Sequence, residues 1–309
     1  MMKEWLRSVK KRFKKKTTVS QQDYQRGLDA LGCIKLDLPL GSFTKKIWMY
    51  WDSGLDSAPE VVKLSYKSWV QLNPDYEVIF LDKTNIKQHL GFEFNDVYNC
   101  FTVDLKAAGK SDFLRAYLLY RYGGVWADAT TFCMKPLDTW LNMSETEFFS
   151  FREKYSDDRQ LVSWFLASYQ GSRVLSDLLK KSIDYLYKPE RKINLEIRGL
   201  KATRRLANKT GFISQNGSGY PLLNHLECQY TTPYFWMFYL FNETVKNNSL
   251  IEGWGYVQTL TNNYAELDDD FSIFSHSYVA KQTYRDKYVV TEQYKNRVQF
   301  LMNNVLIKK

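Results

Sequence analysis

The chain predicts an α/β fold with a mainly parallel central sheet and a helical C-terminal elaboration. Three observations carry this. From Lys46 to Asp128, short aromatic and β-branched runs alternate with helix-length segments, the order that feeds parallel strands through helical crossovers. The 309 residues are 44% hydrophobic and 16% aromatic, enough for one sizeable core. No internal repeat or low-complexity linker divides the chain, so residues 21–309 read as one domain behind a basic segment, 1–20.

Each element has a local reason. Gln21 to Leu31 reads as a helix or docking arm. Lys46-Ile47-Trp48-Met49-Tyr50-Trp51 reads as the first strand. Ala58-Pro59-Glu60 opens a helix, proline being tolerated in the first turn, and the helix stops near Leu72 before Asn73-Pro74. Tyr76 to Leu81 is the second strand and ends at Asp82. Asp104 to Tyr122 is helical, and Gly123-Gly124 permits the left-handed turn that ends it. Val125-Trp126-Ala127 then forms a short buried strand with Asp128 at its end. Further on, Phe148–Phe151 and Leu161–Ala167 read as strands. Arg173–Tyr187, Leu195–Lys209, most of Tyr220–Asn242 and Glu292–Leu306 read as helices.

The net charge of +9 is unevenly placed: seven of those charges fall in residues 1–16. The rest of the chain is nearly neutral, which argues against general nucleic-acid binding. Trp5, Leu6, Val9 and Phe13 recur at helical spacing among the basic residues. This is the pattern of an amphipathic helix lying on an anionic bilayer, a solvated tail being the bland alternative. The longest apolar run, Tyr234 to Phe241, is far too short to span a membrane, and no signal-like core follows the N-terminal charges. The expectation is therefore a cytoplasmic location with peripheral attachment to the inner face of the cell membrane. Cys33, Cys100, Cys133 and Cys228 are scattered without a C-x-x-C pair, so buried free thiols are expected rather than a zinc site.

The densest chemistry lies in Ser111-Asp112-Phe113-Leu114-Arg115 and Gly123 to Thr130. Asp112 and Arg115 are three apart and share a helix face. Asp128 ends a strand, and ligands in open α/β sheets bind at the carboxyl ends of strands. One helix and one turn separate the two carboxylates, which places both in one cleft suited to a divalent metal, a diphosphate and a polar sugar. The bland readings are a surface ion pair for Asp112–Arg115 and a turn-capping carboxylate for Asp128.

These stretches resemble the aspartate-x-aspartate glycosyltransferases, and within them the capsular polysaccharide synthesis branch related to glycosyltransferase family 32. The likeness rests on Lys46 to Trp51, Ser68-Trp69 with Asn73 to Val78, Ser111-Asp112 with Arg115, and Gly123 to Thr130 with Lys135-Pro136-Leu137. It implies a GT-A-like nucleotide-binding core at about 45–141, with the acceptor side at about 142–309. It implies metal-dependent, hexosyltransferase-like transfer from a nucleotide sugar, expected to be a UDP-sugar, with retention of configuration. A surface or capsular polysaccharide, or a lipid-linked glycan, would be the acceptor.

The site residues follow from both arguments. Asp112, Arg115 and Asp128 are the catalytic candidates, with Asp112 accepting hydrogen bonds from donor-sugar hydroxyls and Arg115 orienting it. A hard cation, Mn²⁺ or Mg²⁺, would clamp the leaving diphosphate. Its expected ligands are Asp128, Thr130 and His276. Thr130 stands where the wider family has its second aspartate, and family members often bring a late histidine back over the metal. Tyr50 and Trp51 could stack on the base, Trp51 being preferred at the strand's exit, with the core as the alternative place for both. Asp82 could reach the ribose, and Lys281 a phosphate. Ser111, Ala127 and Thr130 complete the donor-binding candidates. Asp268-Asp269-Asp270 reads as a solvated turn, and Tyr230–Phe241 with Gly217-Ser218-Gly219 as the acceptor side or a packed helix. Rival readings are a glycoside hydrolase, a membrane-surface scaffold, or a non-catalytic sugar-nucleotide or polysaccharide-binding protein.

Overall fold

A computed structural model describes residues 19–156, 158–191, 193–212 and 219–306. Nearly all of the basic amphipathic segment, and Gly217-Ser218, lie outside the described residues.

Eleven short strands are present among the described residues: β1 (Lys46–Tyr50), β2 (Glu77–Leu81), β3 (Val103–Asp104), β4 (Gly124–Ala127), β5 (Thr131–Cys133), β6 (Phe148–Ser150), β7 (Phe165–Ser168), β8 (Leu195–Arg198), β9 (Thr231–Pro233), β10 (Tyr264–Ala265) and β11 (Val279–Lys281). The central sheet has the order β2-β1-β4-β7-β6. β1 pairs in parallel with both β2 and β4, whereas β7 runs against β4 and β6. Four of the five strands therefore point one way, as an alternating strand–helix order requires. The Glu60–Leu72 helix connects β1 to β2, and the Ala107–Tyr122 helix leads into β4.

The core is aromatic. Trp48, Trp69 and Trp126 are almost completely enclosed. Trp69 stacks on Phe165 at 6.0 Å and donates its indole N–H to the Thr131 carbonyl at 2.9 Å. Two glycines position the middle strand. Gly123 and Gly124 both take positive φ, and a Cβ on Gly124 would lie 2.4 Å from the Lys46 carbonyl oxygen. Only a residue without a side chain lets β4 enter against β1 there.

A second sheet, β10-β11-β5, joins the turn after β4 to the C-terminal part of the chain, and a third, β3-β8-β9, lies apart. These strands are two to four residues long, and the helical reading of 195–242 missed two of them. Leu195-Glu196-Ile197-Arg198 alternates apolar with charged and is β8; the helix begins only at Leu200. Thr231-Thr232-Pro233, two β-branched residues and a proline, interrupts the second predicted helix, leaving Tyr220–Glu227 and Trp236–Thr244. Cys100 and Cys133 are buried free thiols as expected, but Cys33 and Cys228 are exposed. Among the described residues no helix is long and apolar enough to cross a membrane.

Candidate active site

A cleft of about 1350 Å³ opens at the carboxyl ends of β1 and β4. The parallel register explains why those ends meet. Trp48 lies opposite Trp126, so continuing two residues along each strand brings Tyr50 and Asp128 to the same edge. Tyr50, Trp51, Ser111, Asp112, Arg115, Asp128, Thr130 and Lys281 all line this cleft.

Arg115 organises the floor. Its guanidinium lies 3.2 Å from Asp112 Oδ1 and 3.3 Å from Asp128 Oδ1, and it donates to the backbone oxygens of Ser111 and Ser163. It also stacks over the Trp126 ring at 5.2 Å, which gives the planar cation a face as well as partners. Asp112 and Arg115 are 5% and 4% exposed, so this is a buried pair rather than a surface one. Burial pushes the Asp112 carboxyl up to about 6, with Asp128 adding to the rise and Arg115 opposing it.

Asp128 has opposite electrostatics. Burial would raise its carboxyl, but Arg115 and Lys281 outweigh that and hold it well below the usual carboxylate range. Its Oδ1 accepts the Trp126 indole N–H at 2.9 Å, and its Oδ2 accepts the Lys281 ammonium at 2.6 Å. Trp126 and Asp128 are two apart along an extended segment and so share a face. Lys281 arrives from the far end of the chain on β11, which pairs with β5 in the register Lys281–Thr131. The Lys281 ammonium also reaches Thr130 Oγ1 at 3.2 Å.

The rim is aromatic. Trp51 is half-buried and meets the exposed Tyr284 edge to face at 5.0 Å. Tyr50 donates its hydroxyl to Asp52 at 2.9 Å. On the opposite wall Tyr234, Phe235 and Phe238 face the cleft, with the Arg159 guanidinium 4.0 Å from the Phe235 ring. The rest of the Trp236–Thr244 helix is mostly core, as the packed-helix reading expects.

Three expected residues are not brought to the cleft. His276 ends a six-residue helix in solvent, with Nδ1 near the Ser272 carbonyl at 2.9 Å. Asp82 caps the following turn, accepting the Thr84 and Asn85 backbone N–H groups, and lies in a separate hollow with Ser53 to Ser57. Ala127 is enclosed within the sheet and pairs with Phe165. Asp268-Asp269-Asp270 lines the cleft but is occupied locally. Asp269 accepts the Glu266 N–H at 2.8 Å, and Asp270 caps the Phe271–His276 helix.

Of the three expected metal ligands, Asp128 and Thr130 line the cleft and His276 does not. The Asp128 oxygens already hold the Trp126 N–H and Lys281, Thr130 faces Lys281, and His276 is elsewhere. Among the described residues no group of three or more His, Cys, Asp and Glu side chains is placed to hold a metal ion. The donor set present does not fit a hard dication, which wants several charged or carbonyl oxygens.

Sequence reasoning missed Glu266, Trp164 and Tyr284. Glu266 accepts the Trp164 indole N–H at 3.0 Å, and burial pushes its carboxyl up. It follows the two-residue strand β10, too short to leave a periodic signal. Its wall is held by Arg297 of the Glu292–Asn304 helix. That fully buried guanidinium donates to the backbone oxygens of Glu266, Leu267 and Asp269 at 2.6–3.3 Å.

Among solved structures, the chain is similar to PaToxG glycosyltransferase (14% identity, 78% of this chain and 96% of that one, TM-score 0.36). It is also similar to a glycosyltransferase involved in glycosylation of the major capsid of PBCV-1 (9% identity, 83% and 98%, TM-score 0.38). Among curated proteins it is 27% identical over 165 residues to the initiation-specific alpha-1,6-mannosyltransferase of Candida albicans, covering 46% of this chain and 43% of that protein. It is 32% identical over 120 residues to glycosyltransferase afumC of Aspergillus fumigatus, covering 36% and 31%. The matched span is thus less than half the length of either relative. The family model for capsular polysaccharide synthesis proteins matches residues 2–195, well over half of the chain, and the chain belongs to that family.

Proposed function

We propose that this protein is a glycosyltransferase that moves a hexose from a nucleoside-diphosphate sugar to a glycan acceptor. The observation that carries the reading is the Asp112–Arg115–Asp128–Lys281 array at the carboxyl ends of β1 and β4, its first pair buried and its second partly exposed to an aromatic-rimmed cleft. Charge of both signs, gathered at the floor of a large cavity, suits a ligand that is anionic at one end and hydroxyl-rich at the other. The fungal relatives, named as a mannosyltransferase and a glycosyltransferase, support it.

Each group has a task in this reading. Trp51 and Tyr284 offer ring faces to the flat base. Asp112, once ionised, accepts hydrogen bonds from the donor sugar. Arg115 is a positioning residue that holds Asp112 and Asp128 in register. Tyr234, Phe235 and Phe238 offer apolar faces to the acceptor's sugar rings. In the transfer the C1–O bond to the diphosphate breaks, its electron pair leaving with the phosphate oxygen. The acceptor hydroxyl oxygen bonds to C1, and its proton passes to the released nucleoside diphosphate or to water. Retention at C1 follows from the family resemblance.

The donor is a UDP- or GDP-activated hexose in this proposal, GDP-mannose entering because of the mannosyltransferase relative. The acceptor is a growing surface polysaccharide or a lipid-linked glycan. The basic residues 1–16 would hold the enzyme on an anionic membrane at its inner face. Assaying release of nucleoside diphosphate from a panel of UDP- and GDP-hexoses, with and without short oligosaccharide acceptors, tests the proposal. Acceptor-stimulated release supports it; intact donors throughout refute it.

A further inference from the structure

We infer that the Lys281 ammonium, carried by Asp128, takes the place of a divalent cation at the diphosphate, so that transfer proceeds without a metal. This rests on the function proposed above and specifies its charge stabilisation.

The turn after β4 offers one carboxylate, Asp128, followed by the neutral Ala129 and Thr130. Asp128 Oδ2 and Thr130 Oγ1 are side-chain oxygens of this turn that a cation could use. Lys281 Nζ already sits on both, at 2.6 and 3.2 Å. An ammonium has three donors, and these contacts use two of them, leaving one for a phosphate oxygen. The position is built in. β11 pairs with β5, and the next residue, Gln282, is fully buried and donates its backbone N–H to the Thr130 carbonyl at 2.8 Å. The lysine is therefore anchored by main chain on the very turn it neutralises.

The cations next to Asp128 are already in place. On the floor Asp112 and Asp128 face Arg115 and Lys281, two of each sign. A dication added at Asp128 would have to displace or sit beside Arg115 and Lys281, the two cations already on that carboxylate. A diphosphate meets Lys281 directly and Arg285, which lines the same cleft four residues further on. When the C1–O bond breaks and its electron pair settles on the leaving phosphate oxygen, the ammonium stabilises that charge without proton transfer. Asp128 is then a positioning residue: it fixes the lysine by the 2.6 Å contact to its ammonium.

Binding of UDP and GDP to the full-length protein, measured by calorimetry after exhaustive EDTA treatment and again in excess Mn²⁺, tests this. The expected result is that the tighter-binding nucleotide has the same affinity in both conditions. Lys281→Met should weaken EDTA binding by about 10–100-fold, the loss of one charge-assisted contact. Lys281→Arg should recover much of it. If the wild type binds only with Mn²⁺, the inference is overturned while the glycosyltransferase reading stands; this comparison does not depend on any variant folding. If a folded Lys281→Met binds like the wild type in EDTA, it is likewise overturned. If neither nucleotide binds in either condition, the nucleotide-sugar reading falls and takes this inference with it.

Discussion

Arg115 lies 3.2 Å from Asp112, one helical turn away, with both side chains shielded from solvent. The same guanidinium reaches Asp128 across the cleft floor. Removing it leaves one buried and one partly buried carboxylate with a single cation, Lys281. Arg115→Ala should lower stability by about 3–5 kcal/mol, the usual cost of breaking a buried pair from one side. Urea denaturation measures this. Arg115→Lys should also lose most of its turnover, because an ammonium cannot reproduce the forked contacts or the stacking on Trp126.

Asp112 sets a pH dependence with a defined sign. Its native carboxyl stands at about 6, whereas the unfolded chain titrates near 3.9. Below about pH 4 both states are protonated and the contribution is complete. Between about pH 4 and 6 the unfolded state ionises first, so the contribution is lost as pH rises. Wild-type stability relative to Asp112→Asn should fall by roughly 2–3 kcal/mol across that window. Asp128, held low, acts in the opposite sense and loses its contribution only in acid. Since Asp112 works ionised, kcat/KM for transfer should rise through about pH 6 and lose that inflection in Asp112→Asn. An unchanged profile in the variant would remove Asp112 from donor recognition.

Trp51 is the better base platform because Trp48, three residues earlier, is committed to the core and bonds the Gly123 carbonyl. Trp51→Ala should weaken nucleotide binding by roughly 1–3 kcal/mol, with Trp51→Phe intermediate. Calorimetry on UDP and GDP reads the difference, and equal affinities would place the base elsewhere.

Gly124→Ala forces a Cβ within 2.4 Å of the Lys46 carbonyl at a positive φ. The strain should cost roughly 2–4 kcal/mol, read in a thermal or urea melt, and should loosen β4 and with it Asp128.

His276→Ala should change neither donor KM nor kcat, and its stability should stay within about 0.5 kcal/mol of wild type. A large loss of activity would return this histidine to the cleft.

The legible part of the site was the part whose geometry is local. Asp112 and Arg115 meet because a helix puts i and i+3 together. Asp128 faces the cleft because Gly123-Gly124 ends that helix and a short strand follows. Trp51 was separable from Trp48 by strand position. Contacts made across long separations left no such trace. The Lys281–Asp128 bond spans 153 positions and depends on β5 and β11, each three residues long. A cation was foreseeable at Lys281, but not its partner. Asp82 shows the opposite failure: a strand-end carboxylate can as easily cap its own turn. His276 was placed by likeness alone, and its short helix ends in solvent.

Arg297 fastens the segment carrying Glu266 from a helix near the tail, and β11 supplies the lysine shortly before that helix. A chain still emerging from the ribosome can thus assemble its central sheet long before it owns a working pocket. The clasp is itself part of the core, since Tyr294 and Leu301 of that helix are buried with it, so the pocket's wall and the fold's last packing step close together.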